Sequence, residues 1–141
     1  MDKLKILFVC IHNSARSQMA EAFVNTYHSD KYMAESAGLE PGTLNPLVVK
    51  SMAEIGIDIS KNPTKDVFDF FKQGKMFDYV ITVCDEASGQ RCPIFTGALK
   101  KINWSFVDPS VLTGTEEEKL KKIGLIRVSI KGKIDEFLKT L

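Results

Sequence analysis

The feature that most constrains the fold is the alternation of short, continuously apolar segments with segments of helical periodicity. Four stretches are strand candidates: LKILFVC (4–10), residues 33–37, FDYVITVC (77–84) and INWSFVDP (102–109). Between and after them, helical spacing of apolar residues begins at Ser17 and recurs at 46–55, 65–73 and 115–141. Strands that alternate with helices predict an α/β fold: a central parallel sheet of about four strands with helices on both faces.

Length and charge limit the classes of protein to consider. The 141 residues suit a single domain spanning 1–141, and no linker or repeat divides the chain. Lys and Arg number 19 against 18 Asp and Glu, a net charge of +1, which argues against a dedicated nucleic-acid binder. No apolar segment is long enough for a signal peptide core or a membrane span, so we expect a cytoplasmic protein that does not bind membranes.

The cysteine content points to chemistry rather than to structural cross-links. The chain has three cysteines, an odd number. In the cytoplasm, thiols are kept reduced, so catalytic, redox or metal-binding roles come before a structural disulfide. Their spacing, with one distant cysteine and a pair eight residues apart, is a poor match to a zinc site.

The segment CIHNSAR, residues 10–16, has the character of an oxyanion-binding loop. Cys10 ends the first predicted strand, and ligands of parallel α/β sheets bind beyond the carboxyl ends of strands. Backbone N–H groups and the following helix N-terminus attract an anion, and Asn13 tolerates the left-handed backbone that a tight loop needs. The Arg16 guanidinium can hold two oxygens of a tetrahedral anion, and Ser17 can donate a hydrogen bond to the Cys10 sulfur. The pattern predicts a nucleophilic thiolate beneath a bound tetrahedral oxyanion. The predicted oxyanion-binding residues are Ile11, His12, Asn13, Ser14, Ala15, Arg16 and Ser17.

A structural interpretation of the same residues stands beside this one. Cysteine is among the residue types most often buried, so Cys10 would then be a core residue and Arg16 a surface residue. A bare C-x5-R pattern is weakly specific. The preceding strand, the following serine and the following helix favour the functional interpretation.

The loop sequence closely resembles that of the thioredoxin-coupled arsenate reductases, which share the low-molecular-weight protein tyrosine phosphatase fold. The resemblance covers nearly the whole chain in the family's order: CIHNSARSQMAE (10–21), ESAGLEP (35–41), NPLVVKSMAEIGIDIS (45–60), VITVCDEASGQRCP (80–93), WSFVDPS (104–110) and GTEEEKLKKI (114–123). It implies reduction of arsenate to arsenite for arsenic detoxification. It also implies Cys10 as nucleophile, Arg16 as the anion clamp and Asp108 as general acid. Without it, Asp108 before Pro109 could be a simple turn former.

The resemblance further implies a relay of three cysteines. A Cys10–Cys84 disulfide would form first, a Cys84–Cys92 disulfide would follow, and thioredoxin would reduce the latter, although glutaredoxin or a small thiol remains an alternative reductant. Position is consistent with this relay, because Cys84 ends a predicted strand as Cys10 does, and parallel strands end at the same edge of a sheet. The contrary interpretation is that Cys84 is a core residue and Cys92 incidental.

Some relatives hold a structural potassium ion near the loop, and Asn13, Glu21, Ser36 and Asp66 match that cluster. No other cofactor is implied, and the chemistry itself requires no metal. The chain departs from its relatives in the loop: His12 stands where many have glycine, and Ala15 where many have cysteine. The segment from Cys84 to Cys92 is also one residue longer.

Two other functions remain open from the sequence. A low-molecular-weight protein tyrosine phosphatase would need Cys10, Arg16 and Asp108 but neither Cys84 nor Cys92. Those phosphatases typically follow the acid Asp-Pro with tyrosine, whereas Ser110 follows here. A non-catalytic oxyanion sensor would need no complete set of reactive side chains. We therefore expect an arsenate reductase with weak phosphatase activity that acts as a monomer.

Overall fold

A computed structural model describes residues 3–84 and 98–141 of the chain. The elements in chain order are β1 (Leu4–Cys10), α1 (Arg16–Tyr27), β2 (Tyr32–Gly38), α2 (Pro46–Ala53), α3 (Val67–Lys72), β3 (Phe77–Cys84), β4 (Ala98–Ser105), a 3-10 helix (Pro109–Val111) and α4 (Glu116–Lys139). The order β1-α1-β2-α2-α3-β3 and the long C-terminal α4 follow the predicted pattern of strands and helices.

The four strands form one parallel sheet in the order β2-β1-β3-β4, which confirms the predicted fold class. Strand pairing continues to the carboxyl ends of the strands. Cys10 pairs with Gly38, and Val9 pairs with Thr82. Cys84 pairs with Ser105 at the end of β4. The four strands therefore end at the same edge of the sheet, and this edge is where the candidate site lies.

Two hydrophobic cores lie on opposite faces of the sheet because side chains alternate along each strand. Ile6, Phe8 and Ile81 face the larger core, where α4 packs against α1 and α2. Leu7 and Val9 face the smaller core. That core is completed by residues of α3, β2 and β3: Val67, Phe70, Ala37, Phe77 and Val80. The sheet is thus covered by helices on both sides, and β1 is buried from Ile6 to Cys10.

The ends of α2 and α4 follow from local chemistry. The Asn45 side chain accepts a hydrogen bond from Leu47 N, and Pro46 suits the first turn because it lacks an N–H group. Gly56 follows α2 with φ of +80°, a left-handed conformation that favours glycine. Thr115 caps α4 by accepting from Glu118 N over 3.2 Å. Three glutamates in the first turn of α4 complement its dipole.

One strand differs from its predicted position. The sequence predicts a strand over 102–109, but β4 spans Ala98–Ser105 and ends three residues before Asp108. The ladder stops there because the last residue of β3, Cys84, pairs with Ser105. Asp108 instead begins the 3-10 helix, where its side chain accepts from Ser110 N. None of the helices in the described part of the chain is long and apolar enough to cross a membrane.

Candidate active site

The loop between β1 and α1 turns its carbonyl groups outward. The carbonyl oxygens of Cys10, Ile11, His12 and Ser14 accept hydrogen bonds from Leu39 N, Glu40 N, Gly42 N and Asn45 N, over 2.8–3.2 Å. The Asn13 carbonyl accepts from the Gln18 side chain. Because a peptide carbonyl and the adjoining N–H group point in opposite directions, this pattern turns N–H groups toward the inside of the loop. Such a concave arrangement binds anions.

The N-terminus of α1 supplies further N–H groups that can bind an anion. The helix begins at Arg16, and Ala15 occupies the capping position without a side-chain hydrogen bond to the first turn. The first N–H groups of a helix have no acceptor within the helix. A capping serine or aspartate would supply one, whereas alanine leaves these donors for a ligand.

Asn13 has the left-handed backbone expected from the sequence, with φ of 53°. Its side chain is fully buried and links the loop to its surroundings. Asn13 Oδ1 accepts from Gln18 Nε2 over 3.1 Å and from Lys65 N over 3.0 Å. Asn13 Nδ2 donates to Ser17 Oγ over 2.8 Å. These bonds hold the tightest turn of the loop in one conformation.

The Cys10 sulfur lies within this network and is 3% exposed. Asn13 N donates a hydrogen bond to Cys10 Sγ over 3.1 Å. Ser17 Oγ lies 2.8 Å from Cys10 Sγ, and it accepts a hydrogen bond from Asn13 Nδ2. Its own proton can therefore point to the sulfur. Two donors directed at Cys10 Sγ stabilise a thiolate, which is the reactive form of cysteine.

Gly38 permits β2 to approach the loop closely. A Cβ atom at this position would lie 2.7 Å from Ile11 O, 2.8 Å from Asn13 N and 2.9 Å from the His12 carbonyl carbon. All three are backbone atoms, which cannot rotate away. The absence of a side chain at Gly38 is thus a condition for the shape of the loop.

Arg16 and Asp108 form an ion pair at the start of α1. The Arg16 guanidinium is 4% exposed and lies 3.4 Å from Asp108 Oδ2, and it donates to Phe106 O over 3.2 Å. Asp108 Oδ1 accepts from Ser110 N over 2.9 Å and from Ser110 Oγ over 2.8 Å. Although Asp108 lies beyond the end of β4, the 3-10 helix brings its carboxylate to the loop. The structure therefore brings Asp108 to Arg16, the last residue of the segment that begins at Cys10.

The residues matched to a potassium site do not form an open cage of oxygens. Both lone pairs of Asn13 Oδ1 are used by protein donors, and Glu21 Oε1 lies 3.0 Å from Lys65 Nζ. Asp66 caps α3 by accepting from Phe68 N over 2.8 Å. Ser36 Oγ is buried and makes no well-formed hydrogen bond, although it lies near the Glu21 carboxylate. This donor set does not fit a bound cation, because an ammonium group already contacts its only buried carboxylate.

The relay cysteines are described only in part. The backbone of Cys84 ends β3 beside β1, as the sequence predicts. Cys92 lies in the segment 85–97, outside the described residues. Among the described side chains, Cys10 is a free thiol.

The family assignment follows from comparison of the whole chain with known proteins. A profile of the low molecular weight phosphotyrosine protein phosphatase family matches residues 5–140. The chain belongs to this family. Within the family it resembles arsenate reductases: the arsenate reductase of Bacillus subtilis is 41% identical over 140 residues, which cover 99% of each chain. The predicted family is thereby confirmed.

Solved structures of the family agree with this assignment. An arsenate reductase in its phosphate-binding state superposes with a TM-score of 0.78 at 27% identity, covering 97% of this chain and 98% of the other. A thioredoxin-dependent arsenate reductase of Corynebacterium glutamicum superposes with a TM-score of 0.66 at 29% identity. The match covers 98% of this chain and 61% of that protein.

Several residues that shape this family site escape prediction from the sequence. Gln18 lies in α1 but donates back to the Asn13 carbonyl and to Pro63 O. Lys65 is remote in sequence and contacts both Asn13 and Glu21. Ser110 orients Asp108 through two hydrogen bonds. Only Ser110 carries a local signal, because a serine two residues after an aspartate is typical of a side-chain turn.

Proposed function

We propose that this protein reduces arsenate to arsenite with Cys10 as nucleophile and a Cys10–Cys84–Cys92 disulfide relay that thioredoxin reduces. The observation that carries the proposal is the loop of outward carbonyl groups around a sulfur that receives hydrogen bonds from Asn13 N and Ser17 Oγ. Arsenate and phosphate share a tetrahedral shape and negative charge. A loop that suits phosphate therefore suits arsenate.

In the first step, the Cys10 thiolate attacks arsenic and forms a sulfur–arsenic bond. One arsenate oxygen leaves as water and takes up protons. Asp108 is the proposed proton donor, because its carboxyl group lies 3.4 Å from Arg16, the residue that would hold the anion, and is oriented by Ser110. Arg16 holds the remaining oxygens and balances their charge.

In the second step, the Cys84 thiolate attacks Cys10 Sγ. The sulfur–arsenic bond breaks, its electron pair stays on arsenic, and arsenite leaves with arsenic reduced by two electrons. The backbone register brings the two strand ends near each other, but an offset of one residue changes the face of the sheet, so this step requires the end of β3 to rearrange. Since Val9 pairs with Thr82, Cys84 lies one residue beyond the level of Cys10 on the adjacent strand. Standard sheet spacings then separate the two Cα atoms by about 6 Å, within the range of roughly 4.4–6.8 Å that disulfides span.

In the third step, Cys92 attacks Cys84, releases the Cys10 thiolate and carries the disulfide away from the loop. A thioredoxin dithiol then reduces Cys84–Cys92 and is itself oxidised. The similarity to a thioredoxin-dependent arsenate reductase supports this reductant. The reaction needs no metal and no organic cofactor, since one dithiol supplies the two electrons that arsenate accepts.

A second activity, weak hydrolysis of aryl phosphates, is favoured by a specific observation. Cys10, Arg16 and Asp108 are the three groups that a phosphatase of this family scaffold requires, and Asp108 forms an ion pair with Arg16 in the loop that begins at Cys10. Phosphate-ester hydrolysis would use them without Cys84 or Cys92. Replacing Cys84 or Cys92 should therefore abolish arsenate turnover and leave phosphate-ester hydrolysis intact.

The test follows arsenate-dependent oxidation of NADPH in the presence of thioredoxin and thioredoxin reductase. Wild type should consume NADPH continuously, and C10S should consume none. C92S should release one arsenite per protein molecule and stop, whereas C84S should release none. C84S should still hydrolyse p-nitrophenyl phosphate at the wild-type rate. Continuous arsenate reduction by either C84S or C92S would refute the relay.

A further inference from the structure

A partly buried ion pair between Glu21 and Lys65 is linked to the oxyanion loop. Glu21 projects from α1, and its side chain is 10% exposed. Lys65 Nζ lies 3.0 Å from Glu21 Oε1 with 27% of the lysine side chain exposed. Burial raises the pKa of the Glu21 carboxyl, while the charge and hydrogen bond of Lys65 oppose that rise. The carboxylate thus depends on a positive neighbour to remain charged in this position.

Lys65 also contacts the loop through its backbone. Lys65 N donates to Asn13 Oδ1 over 3.0 Å, and Asn13 Nδ2 donates to Ser17 Oγ over 2.8 Å. Ser17 Oγ in turn lies 2.8 Å from Cys10 Sγ. A chain of three hydrogen bonds therefore joins Lys65 to the reactive sulfur. Lys65 thus contacts α1 through its side chain and the loop through its backbone.

The Lys65 ammonium contacts the one buried carboxylate of the cluster that was matched to a potassium site. Asn13 Oδ1, the Glu21 carboxylate and Ser36 Oγ are buried, and Asp66 is the next residue along the chain. The ammonium of Lys65 brings the same single positive charge to this cluster. Unlike a diffusible ion, it is covalently attached and cannot be lost at low salt.

We propose that the Lys65 ammonium replaces a structural cation behind the loop, which makes the protein independent of potassium and makes Lys65 a positioning residue for Asn13. The consequence for arsenate turnover rests on the function proposed above. The consequences for stability and for the reactivity of Cys10 do not, because they concern the chain without substrate.

The experiment compares wild type, K65M and the double variant E21Q/K65M in KCl and in choline chloride at equal ionic strength and neutral pH. Methionine keeps the length of the lysine side chain and removes its charge. Two readouts are used: Tm, and the rate at which iodoacetamide alkylates Cys10, followed by mass spectrometry of the peptide that contains it. Wild type should give the same values in both salts.

K65M should lose roughly 5 °C in Tm in choline chloride, because a mostly buried carboxylate is left without its partner. Its Cys10 alkylation should slow several-fold. KCl should restore part of both losses, since the Glu21 carboxylate that loses its ammonium partner can then contact the ion. E21Q/K65M should recover Tm in choline chloride and show no response to potassium, because no unpaired charge remains. If K65M does not fold in choline chloride, its refolding yield in the two salts replaces Tm.

Two results would overturn the proposal. One is a wild-type Tm or Cys10 alkylation rate that rises in KCl relative to choline chloride. The other is a K65M protein that behaves alike in both salts. Failure of arsenate reduction by wild type would overturn the proposed function and leave these two readouts unaffected.

Discussion

Asn13 donates a hydrogen bond to Ser17 over 2.8 Å, and this contact directs the serine hydroxyl toward Cys10 Sγ at 2.8 Å. The reactive sulfur is therefore oriented through two other side chains, both fully buried. Because each member of this network has a partner inside the protein, changes at single positions should have effects that can be measured separately.

Replacing Ser17 with alanine should slow the chemistry of Cys10. The S17A variant removes one hydrogen bond to the sulfur and leaves Asn13 Nδ2 without its acceptor. A hydrogen bond to a charged group contributes about 1.5–3 kcal/mol, so we expect Cys10 alkylation at neutral pH to fall about tenfold or more. S60A is the matched control, since Ser60 lies on the surface and its hydroxyl donates to Asp58. An unchanged S17A rate would show that Ser17 does not assist the thiolate.

Adding one methyl group at Gly38 should disrupt the oxyanion loop. In G38A the new Cβ would meet backbone atoms of residues 11–13 at 2.7–2.9 Å. Overpacking of this kind costs about 1–3 kcal/mol in the free energy of unfolding and should raise the KM for the oxyanion. G132A is the control, because a Cβ there meets nothing within 4 Å inside α4. That variant should be more stable by up to about 1 kcal/mol. Equal unfolding midpoints in urea for G38A and wild type would contradict the steric argument.

His12 should hold the oxyanion loop against the segment that follows β2 through two hydrogen bonds. Its Nδ1 lies 2.9 Å from Glu40 O and must donate, since a carbonyl only accepts, while His12 O accepts from Gly42 N. H12A loses the side-chain bond and should show a higher KM for arsenate with little change in kcat. H12N places an amide nitrogen close to the position of Nδ1 and should recover most of the wild-type KM. If H12A and H12N behave alike, the hydrogen bond to Glu40 is not what positions the loop.

Asp108 should be needed for the step in which an oxygen leaves arsenic. D108N keeps an acceptor for Ser110 but loses both the acidic proton and the charge that faces Arg16. We expect kcat to fall about 10²-fold, the lower end of what general acids contribute. S110A, which keeps the backbone hydrogen bond to Asp108, should lose much less. The measurement is the pre-steady-state rate of arsenite release. Equal decreases of this rate in D108N and S110A would show that Asp108 is not the general acid.

Glu21 should make stability depend on pH in a direction opposite to that of most carboxylates. Burial raises its pKa in the folded chain above the ordinary value of 4.5, so the folded state holds this proton more tightly than the unfolded state does. Its contribution to stability is complete below pH 4.5 and is lost as pH rises through the folded pKa. The free energy of unfolding of wild type relative to E21Q should therefore decrease across that interval. Urea unfolding at a series of pH values measures this difference, and a rising difference would contradict the burial effect.

The sequence by itself determined the fold class and the centre of the site. Apolar runs such as LKILFVC are too hydrophobic to leave in water, and their alternation with helical segments allows few arrangements besides a covered parallel sheet. Cys10, Arg16 and the left-handed Asn13 could be placed because they are close in sequence, and the conformation of a short loop depends mainly on its own residues.

The tertiary structure decided the parts that depend on contacts between distant segments. The pairing of β4 with β3 ends at Ser105. Asp108 then caps the 3-10 helix, and its carboxylate lies beside Arg16. The outward carbonyl groups of the loop required the N–H groups of residues 39–45, and their close approach required Gly38. Lys65 reached Glu21 across 44 residues. No periodicity or spacing in the sequence records such contacts, because they arise only when packing of the two cores brings the segments together.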